Sequence, residues 1–244
     1  MNGGIPLKAN VQENAPAVQT DQSEARKAAL LRLTHEKLDK LERYRHLNRL
    51  VRKHQILFVG SSLMEQFPVH ELLLDRGLSY TIYNRGIGGY TTEELLQTMD
   101  VCIYDLEPDY IYINIGTNDL NAPDYTEHQL VCRYRRILEG IHAHLPNARV
   151  YMLAYYPVNP SAAENNPMMK AALQLRSNAR IRSANEAIQN LADEMHADFL
   201  DLNAGITDAD GCLKREYTIE GMHIYGDGYM PVLEALIPHL PKAE

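Results

Sequence analysis

From residue 55 onward, short apolar runs of strand length alternate with longer segments in which apolar residues recur every three or four positions. This alternation indicates βαβ units, in which each helix connects two parallel strands. The runs are continuously apolar, as expected for parallel strands that are buried on both faces. The pattern therefore predicts an α/β fold with three layers, α/β/α, around a five-stranded parallel sheet. The predicted strands are residues 55–60, 80–84, 110–115, 148–156 and 197–202.

The first 54 residues do not follow this pattern. Residues 1–22 lack hydrophobic periodicity and predict a disordered tail. Residues 23–54 form a basic segment in which we expect one amphipathic helix over 23–52, ahead of a domain that spans 55–244. The apolar stripe of this helix consists of Leu38, Leu41, Tyr44, Leu47 and Val51. Such a stripe is typical of a helix that packs on the neighbouring domain, while self-association and binding to a membrane surface are the alternatives.

Charge and composition narrow the class of protein. The 244 residues carry a formal net charge of −8, which argues against nucleic acid as a partner. Residues 24–55 contain ten Lys or Arg and four Asp or Glu, so a basic segment precedes an acidic body. The three cysteines, Cys102, Cys132 and Cys212, are too far apart for a disulfide framework or a zinc-ligand cluster. No apolar run reaches the length of a membrane span and the N-terminus lacks a secretory apolar segment, so we expect no stable membrane insertion and a cytoplasmic location.

Glycine and polar residues follow the first three predicted strands. The first strand ends at residues 60–62, the second leads into the turn at 84–89, and the third into residues 116–119. A further polar group, at 220–223, lies near the C-terminus. Each group alone is typical of a turn, a helix cap or a surface segment. Because ligands of parallel sheets bind beyond the carboxyl ends of the strands, their joint placement predicts a functional site.

Acyl transfer is the chemistry that these residues together can perform. Ser62 is a weak nucleophile at neutral pH and needs an adjacent base, which His223 can supply. A carboxylate, here Glu220, holds such an imidazole in the required tautomer and stabilises its charged form. The tetrahedral oxyanion needs fixed donors, for which the backbone N–H groups of Ser62 and Gly89 and the side-chain amide of Asn118 are candidates.

Four sequence blocks give the chain a resemblance to the SGNH (GDSL-type) hydrolases, a family named after its Ser, Gly, Asn and His residues. The blocks are ILFVGSSLMEQF (56–67), NRGIGG (84–89), GTND (116–119) and EGMHI (220–224). They occur in the order and spacing of the family, and the resemblance extends over roughly residues 55–240. Within the family, the chain is similar to the platelet-activating-factor acetylhydrolase-like and lysophospholipase-like esterases.

The resemblance implies a role for one residue of each block. Ser62 falls on the nucleophile, His223 on the general base, and Gly89 and Asn118 on the oxyanion donors. The resemblance also implies a flavodoxin-like fold for residues 55–244 and a mechanism that uses no metal and no cofactor.

Two positions depart from the pattern of the family. The signature Gly-Asp-Ser is Gly60-Ser61-Ser62 here, which leaves two adjacent serines, of which the position in the block selects Ser62. Glu220 stands where the family usually has Asp. It carries the same charge on a longer side chain, so we expect activity to survive. Nearby alternatives for this acid are Asp208, Asp210 and Asp227.

The resulting hypothesis is a serine esterase that hydrolyses carboxylic esters through an acyl-serine intermediate. Polar residues near the strand ends, such as Tyr90 and Asn121, slightly favour short acyl groups such as acetyl over long ones. Lysophospholipase or thioesterase action on longer acyl chains is the alternative, and a non-catalytic binding protein of the same fold is a further one. We expect a small-molecule ester as the partner, and formation of a homo-oligomer through the N-terminal helix is left open.

Overall fold

The structure is a computed structural model that describes residues 17–242, with side chains from residue 31 onward. Five parallel strands form one sheet in the order β2-β1-β3-β4-β5. The strands are β1 (Ile56–Gly60), β2 (Ile82–Gly86), β3 (Tyr110–Asn114), β4 (Arg149–Leu153) and β5 (Asp198–Leu200). Helices cover both faces of the sheet, so the predicted three-layer α/β/α fold is confirmed.

Two apolar cores lie on opposite faces of the sheet. The helices are α1 (Ala17–Asn48), α2 (Ser62–Glu65), α3 (Val69–Asp75), α4 (Thr92–Leu96), α5 (Met99–Cys102), α6 (Glu127–His144), α7 (Pro167–Leu175), α8 (Asn178–Glu194) and α9 (Tyr229–Leu236). Leu57 and Val59 of β1 belong to the core that includes α6 and α8, whereas Ile56 and Phe58 belong to the core that includes α3 and α9. Because successive side chains of a strand point to opposite faces, one continuous apolar run supplies both cores.

The register of the sheet aligns the ends of the three central strands. Gly60 pairs with Gly86 of β2 on one side and with Asn114 of β3 on the other. Gly60 has no room for a side chain, because a Cβ there would lie 2.1 Å from the Asn114 carbonyl oxygen. The segments that follow β1, β2 and β3 therefore leave the sheet side by side at one edge.

The N-terminal helix differs from its predicted bounds. It runs over Ala17–Asn48 instead of 23–52, so residues 17–22, which we expected in a disordered tail, are helical. Residues 1–16 of that tail lie outside the described residues. At the other end, residues 49–52 lie beyond the end of the helix.

The face with which α1 contacts the domain also differs from the predicted stripe. Leu41 and Tyr44 are buried as expected, but Leu38 and Leu47 are 57% and 47% exposed. The contacting face includes instead Lys37, whose ammonium group binds Gly89 in the turn after β2, and Asn48, whose side chain binds Arg85 of β2. A prediction from apolar spacing assumes an apolar partner surface. The surface under α1 presents backbone carbonyls and charged side chains, so polar residues take part in the packing.

The strand bounds differ from the predicted ones by a few residues. β2 begins two residues later and continues to Gly86, where it pairs with Gly60. Residues 154–156 were predicted to continue β4. They are buried, but beyond the strand the Tyr155 N–H binds the Asn185 side chain of α8. Among the described helices, none is long and apolar enough to cross a membrane.

Candidate active site

Ser62 begins α2 directly beyond the end of β1. The preceding residue, Ser61, has an extended backbone (φ −101°, ψ −153°) and is the point at which the chain passes from strand into helix. Ser61 is buried, and its Oγ has no hydrogen-bond partner among the described residues. Ser62 is half-buried and carries its hydroxyl toward the edge of the sheet. Of the two adjacent serines, the structure therefore brings only the second to the other predicted site residues.

Ser62, His223 and Glu220 form one hydrogen-bonded chain of side chains. Ser62 Oγ lies 3.1 Å from His223 Nε2, and His223 Nδ1 lies 2.5 Å from Glu220 Oε1. Because the carboxylate accepts a hydrogen bond from the N–H at Nδ1, the neutral ring carries its proton there. Nε2 is then free to accept the proton of the serine hydroxyl. The arrangement is that of a nucleophile, a base and a group that orients the base.

The loop at 218–224 holds this carboxylate and this imidazole together. Glu220 Oε1 also accepts the backbone N–H of His223 at 3.2 Å, and the His223 carbonyl accepts the Thr218 hydroxyl at 2.9 Å. Burial alone would raise the pKa of Glu220, but the hydrogen bonds and the charge of His223 outweigh it and leave that pKa below its ordinary value. Glu220 is therefore an ionised carboxylate at neutral pH, as its position beside the imidazole requires.

The other acidic candidates bind backbone groups of their own loops. Asp208 Oδ1 accepts the N–H groups of Asp210 and Cys212, and Asp227 Oδ1 accepts the N–H of Gly228. Among the hydrogen bonds and ion pairs of the described residues, none joins Asp210 to His223. Glu220 is thus the carboxylate that the structure places on the histidine.

The two remaining predicted residues border Ser62 on the side of the turn after β2. Gly89 has φ +73°, a left-handed conformation that favours glycine. A Cβ placed on the adjoining Gly88 would lie 4.0 Å from the Ser62 Cβ, so this turn runs directly past the serine. The backbone N–H groups of Ser62 and Gly89 donate to no acceptor within residues 17–242. Unpaired N–H groups next to a nucleophile are what stabilisation of an oxyanion requires.

Asn118 follows β3 and is tied to the same turn. Its Nδ2 donates to the Tyr90 carbonyl at 2.8 Å, which leaves the second hydrogen of that amide nitrogen for another acceptor. Ser62, Gly89, Asn118, Glu220 and His223 are all half-buried, although most of the residues around them are buried. The candidate site therefore reaches the surface at the carboxyl edge of the sheet.

Arg176 is a functional candidate that the sequence analysis did not identify. It follows α7, is 2% exposed, and donates from its guanidinium to Asn118 Oδ1 at 2.7 Å and to Asn121 Oδ1 at 3.3 Å. Burial lowers its pKa to about 10, against the opposing effect of the charges on Asp119 and Glu220. The bond to Oδ1 fixes which end of the Asn118 amide faces the site. No spacing signal could reveal this contact, because 58 residues separate the two partners.

Among the described residues, no group of three or more His, Cys, Asp or Glu side chains is placed to hold a metal ion. The geometry described above uses the hydroxyl, imidazole, carboxylate and amide groups of the chain itself.

A Ser–His–Glu chain at the carboxyl edge of a parallel α/β sheet is an arrangement suited to acyl transfer, the reaction class to which ester hydrolysis belongs. Residues 58–230 match the GDSL-like lipase/acylhydrolase family, and the chain belongs to that family. It is accordingly a hydrolase of ester bonds.

Three comparisons describe proteins to which the chain is similar. The chain is 26% identical over 183 residues to platelet-activating factor acetylhydrolase IB subunit alpha1 of Bos taurus, covering 75% of this chain and 73% of the relative. A solved structure from Streptococcus pneumonia, whose description names platelet activating factor, has a TM-score of 0.80 and 33% identity and covers 90% of this chain and 99% of its own. The acetylxylan esterase Axe2 of Geobacillus stearothermophilus, at 17% identity and a TM-score of 0.58 over 77% of this chain and 94% of its own, shares the fold.

Proposed function

We propose that the protein hydrolyses carboxylic esters with short acyl groups, acetyl above all, through an acyl-serine intermediate on Ser62. The observation that carries this proposal is the hydrogen-bonded chain from Ser62 Oγ through His223 to Glu220, with distances of 3.1 Å and 2.5 Å. A serine hydroxyl becomes an effective nucleophile when a base within hydrogen-bond distance removes its proton.

The proposed reaction has two halves. Ser62 Oγ attacks the ester carbonyl carbon while His223 Nε2 takes the hydroxyl proton. The resulting oxyanion accepts hydrogen bonds from the N–H groups of Ser62 and Gly89 and from Asn118 Nδ2. Collapse of the tetrahedral intermediate breaks the bond to the alcohol, which leaves with the proton of His223. A water molecule then attacks the carbonyl carbon of the acyl-serine while His223 Nε2 takes a proton from the water. Collapse of the second tetrahedral intermediate breaks the bond to Ser62 Oγ, which receives that proton from His223, and the carboxylic acid is released.

The preference for acetyl groups is supported by the curated relatives. Their name, platelet-activating factor acetylhydrolase, refers to removal of an acetyl group, and the chain aligns with them over three quarters of its length. The residues beside the site are polar: Asn118 and Asn121 both accept hydrogen bonds from the Arg176 guanidinium. A polar lining agrees with a small acyl group better than with a long apolar chain.

The test is the initial rate of hydrolysis of p-nitrophenyl acetate and p-nitrophenyl octanoate by the wild type and by two serine variants. Ser62→Ala should lower kcat by about 10⁴-fold or more. Ser61→Ala is the matched control, because it removes the neighbouring hydroxyl, which has no hydrogen-bond partner among the described residues, and it should keep kcat within about threefold of the wild type. Equal losses in both variants, or no loss in Ser62→Ala, would overturn the assignment of the nucleophile.

Longer acyl chains are the second candidate, and exposed apolar side chains beside the site favour them. Leu33 of α1 is 39% exposed, and its Cδ1 would lie 3.5 Å from a Cβ placed on Gly89; Ile219, next to Glu220, is 48% exposed. Such side chains can cover an acyl chain that projects from the site. A kcat/KM higher for the octanoate than for the acetate would favour this candidate over acetyl esters.

A further inference from the structure

One face of α1 contacts the end of β2 and the turn that follows it through a series of polar bonds. Residues 37, 40, 44 and 48 share this face, and they meet this segment in antiparallel order. Lys37 Nζ donates to Gly89 O (2.9 Å), and Tyr44 Oη donates to Gly86 O (2.6 Å). Asn48 Oδ1 accepts a hydrogen bond from Arg85 Nε (2.9 Å). Lys40 Nζ pairs with Glu65 Oε1 (2.9 Å), and the other oxygen of Glu65 accepts the Gly88 N–H. The helix thus binds the end of β2 at Arg85 and Gly86, and the turn that follows at Gly88, through Glu65, and at Gly89.

Lys37 makes the contact closest to the proposed oxyanion donor. Its side chain is only 14% exposed, and its ammonium group donates to the Gly89 carbonyl and, at 2.6 Å, to Glu94 Oε1. The other oxygen of Glu94 accepts the N–H of Thr91, the N-cap of α4. Lys37 therefore ties the carbonyl of Gly89 to the first turn of α4.

Lys40 acts on the other side of the same glycine. It forms an ion pair with Glu65 of α2, and the second oxygen of that carboxylate accepts the N–H of Gly88. The peptide group that carries the Gly89 N–H joins Gly88 to Gly89. It is therefore flanked by two anchored groups, one held through Lys40 and one held by Lys37.

We propose that α1 is a positioning element of the active site, in which Lys37 and Lys40 direct the N–H of Gly89 at the oxyanion. The inference rests on the proposed function, in which Gly89 is an oxyanion donor. The turn contains glycine at positions 86, 88 and 89, and glycine has little conformational preference of its own. The direction of the Gly89 N–H is therefore set by the groups that bind the turn from outside.

The two lysines act here through position more than through charge. Lys37 is paired with Glu94 and Lys40 with Glu65, so each positive charge has a carboxylate within 3 Å. The two pairs together add no net charge to the site. A displacement of the donor by about 1 Å can cost on the order of 10²-fold in rate, which is the scale of effect that loss of these anchors can reach.

The experiment compares the full-length wild type with Lys37→Met, Lys40→Met and the control Arg45→Met. Arg45 lies on the same helix and pairs with Glu42 within it, so the control removes the same charge without touching the turn. Using p-nitrophenyl acetate, we expect kcat to fall about 10- to 100-fold in Lys37→Met and less in Lys40→Met, with KM nearly unchanged. Arg45→Met should match the wild type. Lys37→Arg, which keeps a donor, should recover part of the lost rate.

A second readout separates positioning from a purely structural role. Methylboronic acid forms a tetrahedral adduct on a serine nucleophile, so its affinity depends on the oxyanion donors. Its inhibition constant should rise in the two lysine variants by about the factor by which kcat/KM falls. Circular dichroism identifies a temperature at which every variant is folded, and all rates are compared there. Lys40→Met serves where Lys37→Met is too unstable, because the half-exposed Lys40 pair contributes little to stability.

Two outcomes would overturn the inference. One is a kcat in both lysine variants within twofold of the Arg45→Met control. The other is a loss of rate accompanied by unchanged affinity for methylboronic acid. The proposed function fails separately, since it requires the wild type to lose hydrolysis on Ser62→Ala whatever the lysine variants do.

Discussion

Replacing Arg176 by Met removes the charged donor behind Asn118 and leaves an unbranched side chain in its place. Arg176 donates to Asn118 Oδ1 at 2.7 Å from a position that is 2% exposed. A hydrogen bond from a charged donor contributes about 1.5–3 kcal/mol. Loss of a whole oxyanion donor costs about 2.7–4 kcal/mol, which is the upper limit if Arg176 acts only by orienting Asn118. We therefore expect kcat to fall about 10- to 100-fold, and to fall further in Asn118→Ala.

The assay is a double-mutant cycle on kcat for p-nitrophenyl acetate. If Arg176 works through Asn118, the double variant should be no more than about threefold slower than Asn118→Ala alone, because the effects of two residues in one interaction do not add. Arg176→Lys should recover only part of the rate, since an ammonium group cannot reproduce the planar fork that spans Asn118 and Asn121. Arg180→Met is the control, because Arg180 donates to the Leu120 carbonyl at 2.9 Å in the same region.

Stability must be measured beside the rates. Arg176→Met removes the cost of burying a cation, but it leaves the side-chain oxygens of the half-buried Asn118 and Asn121 without their donor. The penalty for each is below the roughly 1–3 kcal/mol of a fully buried unsatisfied group. The opposing effects should keep the variant folded, and its Tm checks this. Independent effects of Arg176→Met and Asn118→Ala, multiplying in the double variant, would refute the reasoning. So would a kcat equal to that of Arg180→Met.

Four further predictions concern the acid (two of them), the strand end and the buried serine. Glu220→Gln should lower kcat by up to about 10⁴-fold, because an amide can hold His223 in the wrong tautomer; initial rates test this, and Asp227→Asn is the control. Burial raises the pKa of Glu220, but the hydrogen bonds from His223 outweigh burial and hold that pKa below its ordinary 4.5. The ionised Glu220 therefore contributes fully to stability above pH 4.5, and this contribution is lost as the pH falls through the lower pKa of the folded state. Thermal melts between about pH 3 and pH 7 should thus show a smaller acid loss in Glu220→Gln, and equal losses would contradict the sign. Gly60→Ala should cost about 3 kcal/mol or more in urea unfolding, since its Cβ would meet the Asn114 carbonyl; a loss under about 1 kcal/mol would show that the strand end can relax. Ser61→Ala should leave stability unchanged or slightly higher in the same urea assay, because it removes a buried hydroxyl without a partner, and a loss above about 1 kcal/mol would reveal a partner for that hydroxyl.

The sheet and the position of the candidate site could be predicted because both depend on local patterns. Each continuous apolar run gives a buried strand, and parallel strands bring their carboxyl ends to one edge whatever the details of the helices. The residues after β1, β2 and β3 therefore had to meet. The family resemblance then selected Ser62 from its neighbour Ser61, which no argument from periodicity could do.

The contacts that support the site could not be predicted from local patterns, because they join residues far apart in the sequence. Arg176 binds Asn118 across 58 residues, and Lys37 binds Gly89 across 52. Arg176 and Lys37 are each a single polar side chain, of a type that occurs mostly on protein surfaces. The stripe expected on α1 was wrong at Leu38 and Leu47 because hydrophobic spacing reveals only apolar partners. A helix that packs on backbone carbonyls leaves no such signature.

The base and the nucleophile of the proposed reaction are 161 residues apart in sequence. Synthesis from the N-terminus therefore produces β1, β2 and β3, with Ser62, Gly89 and Asn118, long before His223 exists. A chain that has reached this stage has the nucleophile and the oxyanion donors but no base within reach of the serine. In the proposed reaction, hydrolysis therefore requires the 218–224 loop, which supplies Glu220 and His223 and is the last part of the site to be synthesised.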